Sequence, residues 1–178
     1  TIDTTGTMMM IISLSLGAIV GEMLDLDGKM IHFGEWLKIK TGNAKDKKFV
    51  DGFVTASLTV CIGAMAVVGS IEDGIHADHS ILFAKAILDF VIILVMSATL
   101  GKGCLFSFVP VGLFQGTITL LASLISPFIT ASAMSALSYI GSILIFCVGV
   151  NLVFNTKIRV ANLLPALIVA CICTVFPL

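Results

Sequence analysis

FVDGFVTASLTVCIGAMAVVGSIEDG, residues 49–74, is the stretch whose reading decides the fold. It is apolar over more than the ~20 residues that a helix needs to cross the hydrocarbon core of a bilayer. It is also threaded with Gly52, Gly63 and Gly69 and with Thr55, Ser57, Thr59 and Ser70, and it ends on an acidic pair, Glu72 and Asp73. A helix serving only as an anchor needs none of these residues. Small and hydroxylated side chains at this density suit a helix that lies close to other helices, with its polar groups turned into protein or water. Residues 49–71 are therefore expected to form a central span, with Thr55, Thr59 and Ser70 as its polar lining. Glu72 and Asp73 are expected at an external acidic mouth, with His76 and His79 beyond them.

Composition extends this reading to the whole chain. Of 178 residues, 58% are hydrophobic and 12% charged, and the mean hydropathy is +1.12. A soluble domain carries about 25% charged residues. The solvent for most of this chain is thus expected to be lipid, and the bilayer its first partner. A net charge of −1 supplies no basic field for nucleic acid, so no such partner is expected. The cysteines are Cys61, Cys104, Cys147, Cys171 and Cys173, an odd number with neither loop spacing nor a zinc-like arrangement with histidine.

Five further apolar runs, 7–24, 81–100, 104–125, 132–154 and 160–176, raise the expected number of spans to six. The fold class is all-α, a polytopic helical membrane protein forming one transmembrane domain over 1–178. In the first run Gly17 and Gly21 lie four apart, on one face where a neighbouring backbone can approach. Residues 29–41 read as a short amphipathic helix at the interface, with Met30, Phe33 and Leu37 toward the headgroups and Trp36 beside them. Pro110, inside the fourth run, predicts a kink. Pro165 stands close to the start of the sixth, where the first helical turn accepts it.

Charge placement checks the count. Lys29, Lys38, Lys40, Lys45, Lys47 and Lys48 fall in the first connection, Lys102 in the third, and Lys157 and Arg159 in the fifth. The second and fourth connections hold no lysine or arginine. Basic residues in every other connection are what the positive-inside tendency produces for six spans with both ends outside. Lys85 stands apart from this scheme. It lies near the start of the third run, four residues before Asp89, and is able to snorkel back to the interface. Cys61-Ile62-Gly63 and Cys147-Val148-Gly149 echo one another three spans apart, which is a weak sign of inverted halves.

At this point longer strings become informative: SLSLGAIVGEMLDLDG (13–28), GFVTASLTVCIGAMAVVGSIEDG (52–74), AKAILD (84–89), FQGTITLLA (114–122) and KIRVANLLPAL (157–167). Together they resemble the DUF554 family, bacterial integral membrane proteins with no settled biochemical function. The resemblance covers nearly the whole chain. It implies a multi-pass protein of the bacterial inner (cytoplasmic) membrane, and it carries over no substrate or catalytic residue. Family members usually open on a GTIVN-like motif with further hydrophobic segments, so one or two N-terminal helices are expected to be missing here.

Function is therefore argued from polar groups in hydrocarbon, where an amide or charge without a partner is costly. Asp89, Lys85, Gln115, Asn151 and Asn162 are the candidates, and transport of a small solute or ion is the leading expectation. Asp89 is expected as the coupling or ligand-binding group, with Asn151 and Gln115 orienting. The alternative is a scaffold or a subunit of a membrane complex, since glycine-rich faces serve helix association equally well; a homo-oligomer, in the first instance a dimer, is expected. An enzyme is not expected. Cys61, Cys147, Ser57 and Ser70 lack a companion base, Asp89 lacks a paired acid, and the glycines lack the strand–turn–helix context of a cofactor site.

Overall fold

The computed structural model describes residues 4–154 and 156–175. Among these, every regular element is helical: α1 (Thr4–Leu24), α2 (Leu26–Lys40), α3 (Phe49–Cys61), α4 (Ala64–His76), α5 (Ser80–Leu100), α6 (Phe108–Leu120), α7 (Ala122–Ile125), α8 (Ala131–Phe154) and α9 (Pro165–Val175). Short 3-10 helices cover Lys102–Ser107, Ser126–Phe128 and Val160–Leu163.

The chain is an all-α membrane protein, but the six expected spans are not all reached. Among the described residues three helical segments are long and apolar enough to cross a bilayer: α5, Lys102–Leu120 and α8. Counting the broken pairs α1 with α2 and α3 with α4 as one span each brings the number to five. The sixth run is shorter because residues 160–163 wind into a 3-10 turn and α9 begins only at Pro165, leaving 11 residues of α-helix. Even with that 3-10 turn included, the described apolar helix Val160–Thr174 falls short of the ~20 residues that a span needs. Phe176, where this run was expected to end, lies outside the described residues, as do Thr1–Asp3. Pro110 is also placed differently from expectation. It sits in the first turn of α6, just after the 3-10 helix, where a missing N–H breaks no helical bond and the helix is not kinked in its interior.

Two compact units form, residues 28–123 and residues 1–27 with 124–178. In the first, Phe49 and Phe53 of α3 are fully buried and pack with Leu37 of α2, flanked by Phe33 and Phe106. The side of α2 expected in the headgroups is thus partly covered by α3, while Trp36 stacks on Phe33 and stays half exposed. The 3-10 helix at 102–107 lies against the start of α3 so closely that a Cβ on Gly103 would stand 1.9 Å from the Phe49 carbonyl oxygen. Gly101 lies beside Asp46, so the first and third connections share one end of this unit. At the other end Gly74 packs on the backbone of Thr119. Lys45, Lys47, Lys48 and Lys102 therefore gather at one end of this unit.

In the second unit α1 lies backbone to backbone on α9 and the turn before it. A Cβ on Gly17 would meet the Ala166 nitrogen at 2.3 Å, and one on Gly21 the Asn162 carbonyl oxygen at 1.8 Å. This is the close approach that the four-residue spacing predicts. The long α8 buries a single stripe, Ala133, Ala136, Leu137, Ile140, Gly141, Leu144 and Val148, at helical spacing.

Candidate functional site

The run 49–74 is not one helix. α3 ends at Cys61, Ile62 is extended (φ −78°, ψ 118°), Gly63 takes φ 153°, and α4 restarts with a bend of 61°. Gly63 adopts a backbone conformation that residues with a Cβ rarely reach. The amide of Ile62 still bonds the Leu58 carbonyl, at 3.0 Å. Beyond it, the carbonyls of Thr59, Val60 and Cys61 lose the amides of residues 63–65 that an unbroken helix would turn toward them. Inside a membrane protein water does not freely replace those donors.

α5 answers one of these carbonyls. Its faces are given over to apolar side chains that remain more than half exposed, among them Phe83, Ile87, Phe90 and Leu94, and its one buried residue is Lys85. Lys85 Nζ donates to the Val60 carbonyl oxygen at 3.0 Å. It also forms an ion pair with Asp89, one helical turn further on, whose side chain keeps 21% of its surface exposed. The ammonium thus replaces a helical N–H at the negative end of a half-helix dipole. Lys85 is not snorkelling to the interface, the first expectation for it. The four-residue spacing put Lys85 and Asp89 on one face but gave no sign of Val60, because a backbone carbonyl has no side-chain signature; the only available signal was Gly63 in mid-run.

The remaining candidates fall elsewhere. Ser57, Thr59 and Ser70 donate to the carbonyls of Phe53, Thr55 and Ala66 at 2.6, 2.8 and 2.7 Å, so these hydroxyls are spent within their own helices. Thr55 contributes that carbonyl and is half buried. Gln115 is half buried on α6. Asn151, at the end of α8, clamps the fifth connection: its amide donates to the Ile158 carbonyl at 2.7 Å, and its oxygen accepts from Ile158 N at 2.9 Å and Thr156 Oγ1 at 2.7 Å. In this arrangement the side chain braces the loop. Glu72 pairs with His76 at 2.7 Å and Asp73 with His79. Among the described residues no group of three or more His, Cys, Asp or Glu is placed to hold a metal. Asp78, in the same connection, accepts from Ser80 Oγ and N, which holds its carboxyl below the usual range. The echo between Gly63 and Gly149 is not structural, since Gly149 lies within an unbroken α8 with nothing near it.

Asn162 belongs to a second polar cluster that sequence reasoning did not assemble. It is 3% exposed, accepts from the Asp27 amide at 2.8 Å and donates to Glu22. Arg159 forks over Glu22 and Asp25 and lies 3.8 Å from Asp27. One cation and one amide so tie the end of α1 to the turn before α9. Arg159 and Glu22 are 137 residues apart, and no local spacing reveals the pairing.

Comparison with known proteins supports a membrane protein. The family described as "Protein of unknown function (DUF554)" matches residues 1–175. The chain belongs to the DUF554 family. It is 27% identical over 168 residues to the uncharacterized membrane protein YdfK of Bacillus subtilis strain 168, covering 94% of this chain and 70% of that one. It is 28% identical over 165 residues to the uncharacterized protein YqgA of Escherichia coli K12, covering 90% and 70%. No solved structure is significantly similar to this DUF554 chain.

Proposed function

We propose that this DUF554 protein moves a small solute or ion across the bacterial inner membrane, with the break between α3 and α4 and the Lys85–Asp89 pair as its working site. The observation that carries the reading is the ammonium of Lys85, buried on an otherwise lipid-facing helix and held by a carbonyl that the break has freed. Ionisable groups within spans are expensive and as a rule mark ion or substrate paths. Interrupted helices that present backbone groups to a ligand are a recurrent device of carriers. Asp89, partly exposed beside the break, is the group proposed to bind or couple. The basic end of residues 28–123 is proposed to face the cytoplasm, following the positive-inside tendency.

Proteoliposomes loaded with pH- and cation-sensitive dyes test this directly. The wild type is expected to pass protons or an alkali cation, and Asp89→Asn to lower that flux at least ~10-fold, the size of a general loss of a charged ligand worth about 1.4 kcal/mol. Full flux in Asp89→Asn with unchanged pH dependence removes Asp89 from the mechanism. A scaffold or subunit role is the second reading. It is favoured by the hydroxyls of Ser57, Thr59 and Ser70, which bond carbonyls of their own helices. Wild-type liposomes no leakier than empty ones to every alkali cation and to protons would favour it.

A further inference from the structure

We infer that the oxygen cluster around Lys85 is a binding site for a monovalent metal cation, and that the Lys85 ammonium is its resident, tethered occupant. This deepens the function proposed above by naming the ligand class of the same site. Three observations meet here. Lys85 Nζ touches two kinds of oxygen, the Val60 carbonyl at 3.0 Å and the Asp89 carboxylate. The break at Ile62–Gly63 leaves the carbonyls of Thr59 and Cys61, on either side of Val60, without their helical donors. The end of α3 adds the negative pole of its dipole. A carboxylate, freed carbonyls and a helix C-terminus are the donor set that replaces the hydration shell of Na⁺ or K⁺ in membrane proteins. The absence of any cluster of three or more His, Cys, Asp or Glu among the described residues argues for this class over a transition metal.

Charge balance makes the two occupants mutually exclusive. One carboxylate and a helix end support one positive charge in a poorly solvated place, and the lysine already supplies it. Metal entry therefore requires the ammonium to leave. Its exit is short: Lys85 is five residues into α5, about 7.5 Å along the helix from Ser80, and a lysine stem can carry its head to the nearer interface. The acids of the adjoining connection, Glu72 and Asp73, lie at the end of α4 that leads into α5. Lysine out with cation in, and lysine in with cation out, are two neutral states of one site.

The test is thermal unfolding of purified protein in detergent, in NaCl, KCl and choline chloride at matched ionic strength. Wild type should be nearly indifferent to the choice of salt, because its site is filled. Lys85→Met and Lys85→Gln should melt lower in choline chloride and regain at least about 5 °C in one alkali salt, with saturation, as ligand linkage requires. Adding Asp89→Asn to either should abolish the regain. Salt responses of both variants that match choline would overturn the inference. So would failure of both to fold in saturating NaCl and KCl, since a metal ion should then stand in for the missing ammonium. Binding is read here without flux, so a protein that binds cation but passes none would refute transport and leave this site standing.

Discussion

Replacing Gly21 by alanine tests the backbone-to-backbone packing that defines the unit of residues 1–27 with 124–178. The new Cβ would stand 1.8 Å from the Asn162 carbonyl oxygen, and backbone must move until the gap reaches at least 3.4 Å, where contact becomes ordinary. No flexible side-chain end is available to give way. Overpacking of this kind costs about 1–3 kcal/mol. Moving Asn162 also stretches its bonds to Glu22 and to the Asp27 amide, each worth about 0.6 kcal/mol on membrane-protein averages. Alanine returns up to about 1 kcal/mol of helix propensity. The net expectation is a loss of about 1–3 kcal/mol. Gly112→Ala on α6 is the matched control: nothing lies within 4 Å of its Cβ position, so the same propensity gain comes without a clash. Unfolding in mixed detergent–SDS micelles, followed by helical circular dichroism, reads both. Equal stability of Gly21→Ala and Gly112→Ala would refute the packing argument. Gly103→Ala, 1.9 Å from the Phe49 oxygen, carries the same reasoning into the unit of residues 28–123.

Two further expectations concern charge. Arg159→Lys should weaken the protein by about 1 kcal/mol in low salt and by less in high salt, because the pairs are about half exposed and a point charge cannot fork over Glu22 and Asp25; thermal melts at two ionic strengths measure it. The bonds from Ser80 hold the Asp78 carboxyl below its ordinary pKa of 3.8, so its contribution is complete above that value and lost as pH falls through the folded pKa. Asp78→Asn should therefore be less stable than wild type at neutral pH and converge with it below about pH 4, so that the acid limb of its stability–pH curve is flatter.

Much of the fold was legible because hydrocarbon imposes a simple rule: a run such as 81–100 has few options but to be a helix. Gly17 and Gly21 announced their contact by spacing alone. The number of spans was less legible, since hydropathy counts residues and not the path of the backbone. Residues 160–163 open the sixth apolar run but wind into a 3-10 turn, and the change of direction at Ile62–Gly63 is a backbone event inside an uninterrupted apolar run. At the site, Lys85 and Asp89 were visible because they sit four apart on one helix. Val60 was not, because its contribution is a carbonyl. Asn151 and Asn162 looked alike in sequence, each an amide near a span end. Only tertiary contacts show that one braces a loop and the other joins α1 to the turn before α9.

The capping of Val60 by Lys85 also sets an order of events during synthesis. The ribosome delivers the break at residues 62–63 to the bilayer before the lysine that covers it, which lies 25 positions downstream of Val60. Until α5 emerges, the nascent chain holds uncovered carbonyls at membrane depth, and α5 in turn must carry a charge into lipid unless that acceptor is waiting. Each segment thus supplies what makes the other's insertion tolerable, and the two should integrate as a pair and not one by one.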